Sequence, residues 1–286
     1  MKEKNIAVIG AGVIGSDVAL DLSIHNYNVL LKDLSEEQLE NALNKIRNSY
    51  RFTKMMTKTE SIPALDEILS RIKTTTKYKE FKKVDLVIEN ISEVYEAKKK
   101  VYEELVQVCR KDVIYGVNTS CISITKIAAL TPRPENVIGM HFMNPVPLSK
   151  LVEVVRGYHT CDETVEQTKR FVNTLQKTCV IVNDFPGFVT NRVMMPTINE
   201  CVYLLQDQVA DARDIDMIFK LGFGHKMGPL ATADLIGLDT VLNSLSILYD
   251  SYNDPKYRPC PLLKKMVDAG LLGKKSGKGF FNYQTY

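Results

Sequence analysis

Short, nearly continuous apolar runs alternate along most of this chain with stretches whose apolar residues recur at helical spacing. The runs are IAVIG, NVLLKD, VDLVIEN, DVIYGVN, VIGMHF, LVEVV and TCVIVN, each long enough for a single strand. Runs of this kind, rather than strict alternation, are expected of strands covered on both faces. Between the first two the spacing predicts a helix with Val18, Ala19 and Leu22 apolar and Asp17 and Asp21 polar. Further helices are predicted from Glu36 to about Tyr50, through ILSRI, over AKKKVYEELVQVC with apolar Val101, Leu105 and Val108, over SITKIAAL, and from Thr164 to Leu175. Strands alternating with helices predict an α/β fold with a doubly wound, parallel, Rossmann-type sheet. The helices after Glu36 are separated by a loop at KMMTKTES and exceed an ordinary crossover, so they form a helical excursion from that sheet. The stretch KTTTKYKEFKK from Lys73 reads as a solvated loop and helix face.

At Asp184-Phe185-Pro186-Gly187 the pattern changes, and from there on only helical periodicity is found. The chain therefore divides into residues 1–183, a sheet domain, and 184–286, an all-α domain. The helices FVTNRVMMPTINECVYLL, which Pro196 should kink, DARDIDMIFKLG and ATADLIGLDTVLNSLSILYDSY have long apolar faces. A domain of about a hundred residues buries its surface incompletely, so a second subunit is expected to cover part of them.

Chemistry enters with the glycines. Gly10-Ala11-Gly12-Val13-Ile14-Gly15 lies between a predicted strand and a predicted helix, where glycines let a pyrophosphate approach backbone amides at the helix start. The next strand ends in Asp33, at the distance expected of a carboxylate that binds a ribose hydroxyl. Such a carboxylate repels a 2'-phosphate, so the expected cofactor is NAD rather than NADP. In IGMHFMNPVPLSKLVE two apolar runs are joined by a turn with Pro145 and Pro147, and a hairpin there could bring His141 and Glu153 together. An imidazole backed by a carboxylate is a general base with an orienter, or else a satisfied core histidine. Ser120, after the strand ending at Asn118, lies at the carboxyl edge of the sheet as a ligand contact or as the cap of SITKIAAL.

Composition narrows the class. With 45% hydrophobic and 25% charged residues the chain is an ordinary globular protein. Its 37 basic and 34 acidic residues are too evenly matched to suggest a nucleic-acid partner. No run approaches the roughly 18 apolar residues of a membrane span, and no signal peptide is read at the start. The six cysteines show neither CxxC spacing nor clustering, so no metal site or disulfide framework is expected, and a reduced, cytoplasmic enzyme is.

In order along the chain, Gly10 to Gly15, NTSC, HFMNPVP, LVEV, DFPGFVTNR, MGPLATADLIGLD and GKKSGKGF closely resemble the 3-hydroxyacyl-CoA dehydrogenase family, and within it the short bacterial 3-hydroxybutyryl-CoA enzymes. The resemblance implies NAD-dependent oxidation of a short (S)-3-hydroxyacyl thioester and a helical domain that dimerises. It places the family's catalytic histidine, glutamate, serine and asparagine on His141, Glu153, Ser120 and Asn191. It implies further cofactor contacts at Asp33, Glu93, Lys98, Asn144 and Lys275. Cys121 and Ser149 depart from the family's usual residues, and KMMTK replaces a KGK found near the CoA phosphates, leaving Ser49, Lys54 and Lys58 as candidate contacts to the carrier. Those departures leave acyl-CoA or an acyl group on an acyl carrier protein as the substrate. A non-catalytic protein of crystallin type shares this ancestry, and the four intact catalytic residues argue against it.

Overall fold

The computed structural model describes residues 5–57 and 62–283. It divides between Phe185 and Pro186 into two compact units. In the first, strands β1 (Asn5–Ile9), β2 (Asn28–Lys32), β3 (Ile72–Thr75), β4 (Leu86–Glu89), β5 (Ile114–Val117), β6 (Val137–Phe142), β7 (Leu151–Arg156) and β8 (Thr178–Asn183) form one sheet. Their spatial order is β3, β2, β1, β4, β5, β6, β7, β8. Neighbours are parallel except β6 and β7, which are antiparallel. The connection at 143–150 is shorter than the roughly dozen residues of a parallel crossover, so these two strands can only pair as a hairpin. The α/β expectation holds, with β7 and β8 reversed relative to the rest.

Helices α1 (Val13–Ile24), α2 (Glu36–Thr57), α3 (Leu65–Ser70), α4 (Tyr95–Val108), α5 (Ile124–Ala128) and α6 (Asp162–Thr174) accompany the sheet. Ile6, Val8, Leu31, Ile88, Met140 and Val154 of the strands pack with Val18 and Leu22 of α1 and Val172 of α6 in one buried core. Burial of each such side chain contributes roughly 1.5–3 kcal/mol.

Local readings need correction in several places. Ile72–Thr75 is a strand on the β2 edge, with Ile72 and Thr75 buried, and Tyr78–Lys83 is a 3-10 helix that buries Phe81. Four residues are too few for periodicity to announce, and the unpaired edge of β2 selects them. Helix α2 continues through Lys54, Met55 and Met56, which are good helix formers, to Thr57. On α4 the buried stripe is Lys98, Tyr102 and Leu105, with a lysine inside it, while Val101 and Val108 are only half-buried. On α1 both Asp17 and Asp21 are buried rather than solvated.

The second unit contains α7 (Thr190–Gln206), α8 (Ala212–Gly222), α9 (Pro229–Ile236), α10 (Leu238–Tyr252) and α11 (Pro261–Asp268). Ile198, Val202, Leu230, Leu245, Tyr257 and Leu263 form its core. The segment expected as one helix through ATADLIGLDTVLNSLSILYDSY is two, bent by 98° where Gly237 takes a φ of +103°. A side chain there would meet both the strained backbone and Lys275. Asp216 accepts from the amides of Leu230 and Ala231 at the start of α9, and Asp234 from those of Phe280 and Phe281, tying down the tail. On α8, Met217, Ile218 and Leu221 are exposed. Among the described residues no single helix is long and apolar enough to cross a membrane.

Candidate active site

The glycine turn follows β1. Gly10 has a φ of +87°, and a Cβ there would lie 2.7 Å from the Asn90 carbonyl oxygen. A Cβ on Gly15 would lie 1.8 Å from the Gly10 carbonyl oxygen, so the turn closes against its own helix only without one. Gly12 has nothing within 4 Å of the same position. That opening faces the start of α1, which has no side-chain cap and no acid in its first turn. Uncapped N–H groups at a helix start attract an anion. Val13, the first helical residue, is exposed, while Ile14 packs partly against the core. Asp33 closes the arrangement: its carboxylate accepts from the Ala11 amide (2.6 Å) and the Leu34 amide (2.6 Å). These residues fit a dinucleotide with an unphosphorylated ribose.

A polar scaffold extends from the ends of β4 and β5. The ammonium of Lys98 donates to both oxygens of Glu89 (2.7 and 3.0 Å), and both side chains are 0% exposed. Burial pushes the Glu89 carboxyl upward, and Lys98 opposes that shift. Asn118 donates to Asn90 (2.7 Å) and accepts from the Phe142 amide (3.2 Å), tying β5 to β6. One oxygen of Glu93 accepts from the Thr119 hydroxyl (2.5 Å) and from the amides of Ser120 (3.0 Å), Cys121 (2.8 Å) and Ile122 (3.3 Å). The loop that carries Ser120 is thus wound around a carboxylate.

His141 and Glu153 are cross-strand partners in the β6–β7 register. Nδ1 of His141 is 2.9 Å from Oε2 of Glu153, with the two side chains 10% and 3% exposed. Nε2 of His141 is 3.2 Å from the Ser120 hydroxyl. With the carboxylate as acceptor, Nδ1 carries the proton and Nε2 presents its lone pair toward Ser120, the tautomer a general base needs. Ser120 does not cap the following helix, because Ser123 does so by accepting from the Lys126 amide.

Other expected residues fall as follows. Asn144 is exposed on the turn between β6 and β7. Lys98, expected to touch the cofactor, is 0% exposed, with its ammonium directed to Glu89 and to the Asn118 carbonyl. Ser49, expected to face the carrier, is half-buried on α2 with its hydroxyl near buried Asp17. Lys54 is exposed near the end of α2, with its ammonium 5.8 Å from the centre of the Tyr50 ring. Lys58 lies outside the described residues. In the second unit, Asn191 is buried in the first turn of α7, and Lys275 is paired with Asp239 at 2.6 Å. No cluster of residues suited to a metal ion is present among the described residues.

Sequence reasoning missed Glu89, Asn118, Asp17, Asp21 and Lys177. The available signal was a polar residue within or beside an apolar run, as with Glu89 in VDLVIEN and Lys177 before TCVIVN.

Residues 5–185 match the family described as 3-hydroxyacyl-CoA dehydrogenase, NAD binding domain, and residues 187–283 its C-terminal domain. The chain is 43% identical over 281 residues to the 3-hydroxybutyryl-CoA dehydrogenase of Bradyrhizobium diazoefficiens, covering 98% of this chain and 96% of that one. It is 43% identical over 279 residues to the 3-hydroxybutyryl-CoA dehydrogenase of Clostridioides difficile, covering 97% and 99%. The crystal structure of (S)-3-hydroxybutyryl-CoA dehydrogenase from Ralstonia eutropha is similar with a TM-score of 0.89 at 38% identity, covering 99% of this chain and 100% of that one.

Proposed function

The chain belongs to the 3-hydroxyacyl-CoA dehydrogenase family, and on that basis we propose that it interconverts a short-chain (S)-3-hydroxyacyl-CoA, such as 3-hydroxybutyryl-CoA, and the corresponding 3-oxoacyl-CoA. It is an NAD-dependent oxidoreductase. The observation that carries the proposal is the chain of contacts Ser120–His141–Glu153 on the same sheet as the glycine turn.

When bound, NAD supplies the acceptor for the hydride that leaves the alcohol carbon. The glycine turn and Asp33 hold it, with Glu93, Asn144 and Lys275 as further contacts. His141 removes the proton of the 3-hydroxyl at Nε2. Glu153 holds the ring in the receptive tautomer and stabilises the imidazolium that forms. Ser120 donates to the substrate oxygen where charge develops, and Asn191 is the second donor.

The test is NADH oxidation with acetoacetyl-CoA, compared with the same acyl group loaded on an acyl carrier protein. Turnover of the free CoA ester supports the reading. Negligible turnover in a protein that binds NADH, with activity on the loaded carrier, replaces it with the carrier-bound substrate. A homodimer belongs to the same proposal, supported by exposed Met217, Ile218 and Leu221 on α8. Light scattering at twice the chain mass is expected, and a monomer would remove it. Cytoplasmic location is likewise proposed, and cell fractionation tests it.

A further inference from the structure

The turn that joins the His141 strand to the Glu153 strand is held by buried charge. Lys177, between α6 and β8, is buried and donates to the carbonyls of Val146 (2.7 Å) and Ser149 (2.7 Å). The same ammonium lies 3.2 Å from Oδ2 of Asp21 on α1. Asp17, one turn earlier on that helix, is buried, and the Val146 amide and the Ser49 hydroxyl of α2 lie close enough to oppose the rise that burial imposes on its carboxyl. Val146 and Ser149 are therefore both held at their carbonyls, and the groups around that hold come from the segment before β8, from α1 and from α2.

This arrangement opposes stability. Taking two carboxylates and an ammonium out of water is unfavourable, and apolar side chains of similar size commonly leave a core more stable. Burial pushes Asp21 up to about 6 against the pull of Lys177 and His25, and raises Asp17 as well. Two further charged groups lie against α1: Arg71 donates to the Ser23 carbonyl, and the Asp33 carboxylate accepts from the Ala11 amide at the helix start. What the charges provide is directional bonding to a short irregular turn, which apolar packing does not supply. The helix bearing Asp17 and Asp21 starts at the glycine turn, and the turn it holds carries Asn144 between the two halves of the acid–base pair.

We propose that Lys177, together with Asp21 and Asp17, is a positioning residue for the reaction: it locks the 143–149 turn to α1, fixing Asn144 and the His141–Glu153 ladder relative to the glycine turn. This rests on the dehydrogenase reading above. A purely structural cluster would lower stability and activity together, whereas a positioning cluster separates them.

The full chain is compared with its Lys177→Met and Asp21→Asn variants in acetoacetyl-CoA reduction, NADH binding by fluorescence, thermal unfolding, and hydrogen exchange of the 143–150 segment with NADH bound. In Asp21→Asn, which removes a buried charge at constant shape, kcat is expected to fall roughly tenfold, with NADH affinity within about threefold and no loss of thermal stability. In Lys177→Met the fall is roughly 100-fold, and the segment exchanges faster. Variants that keep kcat within about twofold, or lose kcat and NADH affinity in proportion, overturn the proposal. If the unaltered protein binds NADH and leaves acetoacetyl-CoA untouched, the substrate reading fails by itself. The exchange of the turn then decides: protection lost in Lys177→Met supports the positioning role, and protection retained overturns it.

Discussion

Two buried acid–base pairs stand on the central sheet, and they differ in what else can reach them. Lys98 and Glu89 are sealed at 0% exposure, and the ammonium is directed to its carboxylate partner and the Asn118 carbonyl. His141 and Glu153 are also buried, but the imidazole keeps its second nitrogen on the Ser120 hydroxyl, at the strand ends where such sheets bind ligands. A lysine so enclosed can only hold its neighbours in place. A histidine with one nitrogen held by a carboxylate and the other directed to the open side can take a proton from a ligand. A buried charged pair is therefore no sign of catalysis by itself, and the additional partner on the open side makes the difference.

The comparison can be broken most severely at His141. Replacement by Gln removes the proposed base and is expected to lower kcat by about 10² to 10⁴, with NADH binding retained. Steady-state assays and fluorescence titration decide it, and near-normal turnover would remove the base from the mechanism. At the sealed pair the expected loss is of stability. Lys98→Met leaves the Glu89 carboxylate buried alone and should cost about 3–5 kcal/mol in urea unfolding, most of it regained when Glu89→Leu is added. A single variant as stable as the parent would show that the pair is dispensable.

A third replacement carries the comparison to pH. Burial raises Asp21 from 3.8 to about 6, so the stability linked to its protonated form is complete below the lower value and is lost as pH rises through the upper one. Asp21→Asn should therefore exceed the unaltered protein by up to about 3 kcal/mol near pH 7.5, and by about half that near pH 5. Unfolding curves at the two pH values test this, and an advantage independent of pH contradicts it. The smallest effect separates two serines of one loop. Ser123→Ala removes the cap of α5 and should cost about 1 kcal/mol with activity kept. Ser120→Ala should lower turnover and leave stability nearly unchanged, and the reverse pattern would exchange their roles.

Local features were legible where the chemistry is local. The glycine turn, its strand and helix, and Asp33 lie within one short stretch, and Gly15 answers a clash with the Gly10 carbonyl five residues before it. The hairpin was legible because two prolines interrupt two apolar runs. Strand β3, the break at Gly237 and the inward face of α4 were not, since a neighbouring edge, a single backbone angle and a buried lysine decide them.

By itself the sequence determined the order of strands and helices apart from β3 and the break between α9 and α10, the NAD-type turn and the pairing of the His141 and Glu153 runs through a hairpin. These depend on side-chain period and on residues whose backbone limits act within a few positions. Only the tertiary structure decided that Lys98 is sealed, that Ser123 rather than Ser120 caps α5, and that Asp17, Asp21 and Lys177 converge at the 143–149 turn. Such partners lie far apart along the chain, and whether a charge is solvated, paired or buried is fixed by elements that meet only when the sheet and its helices have packed.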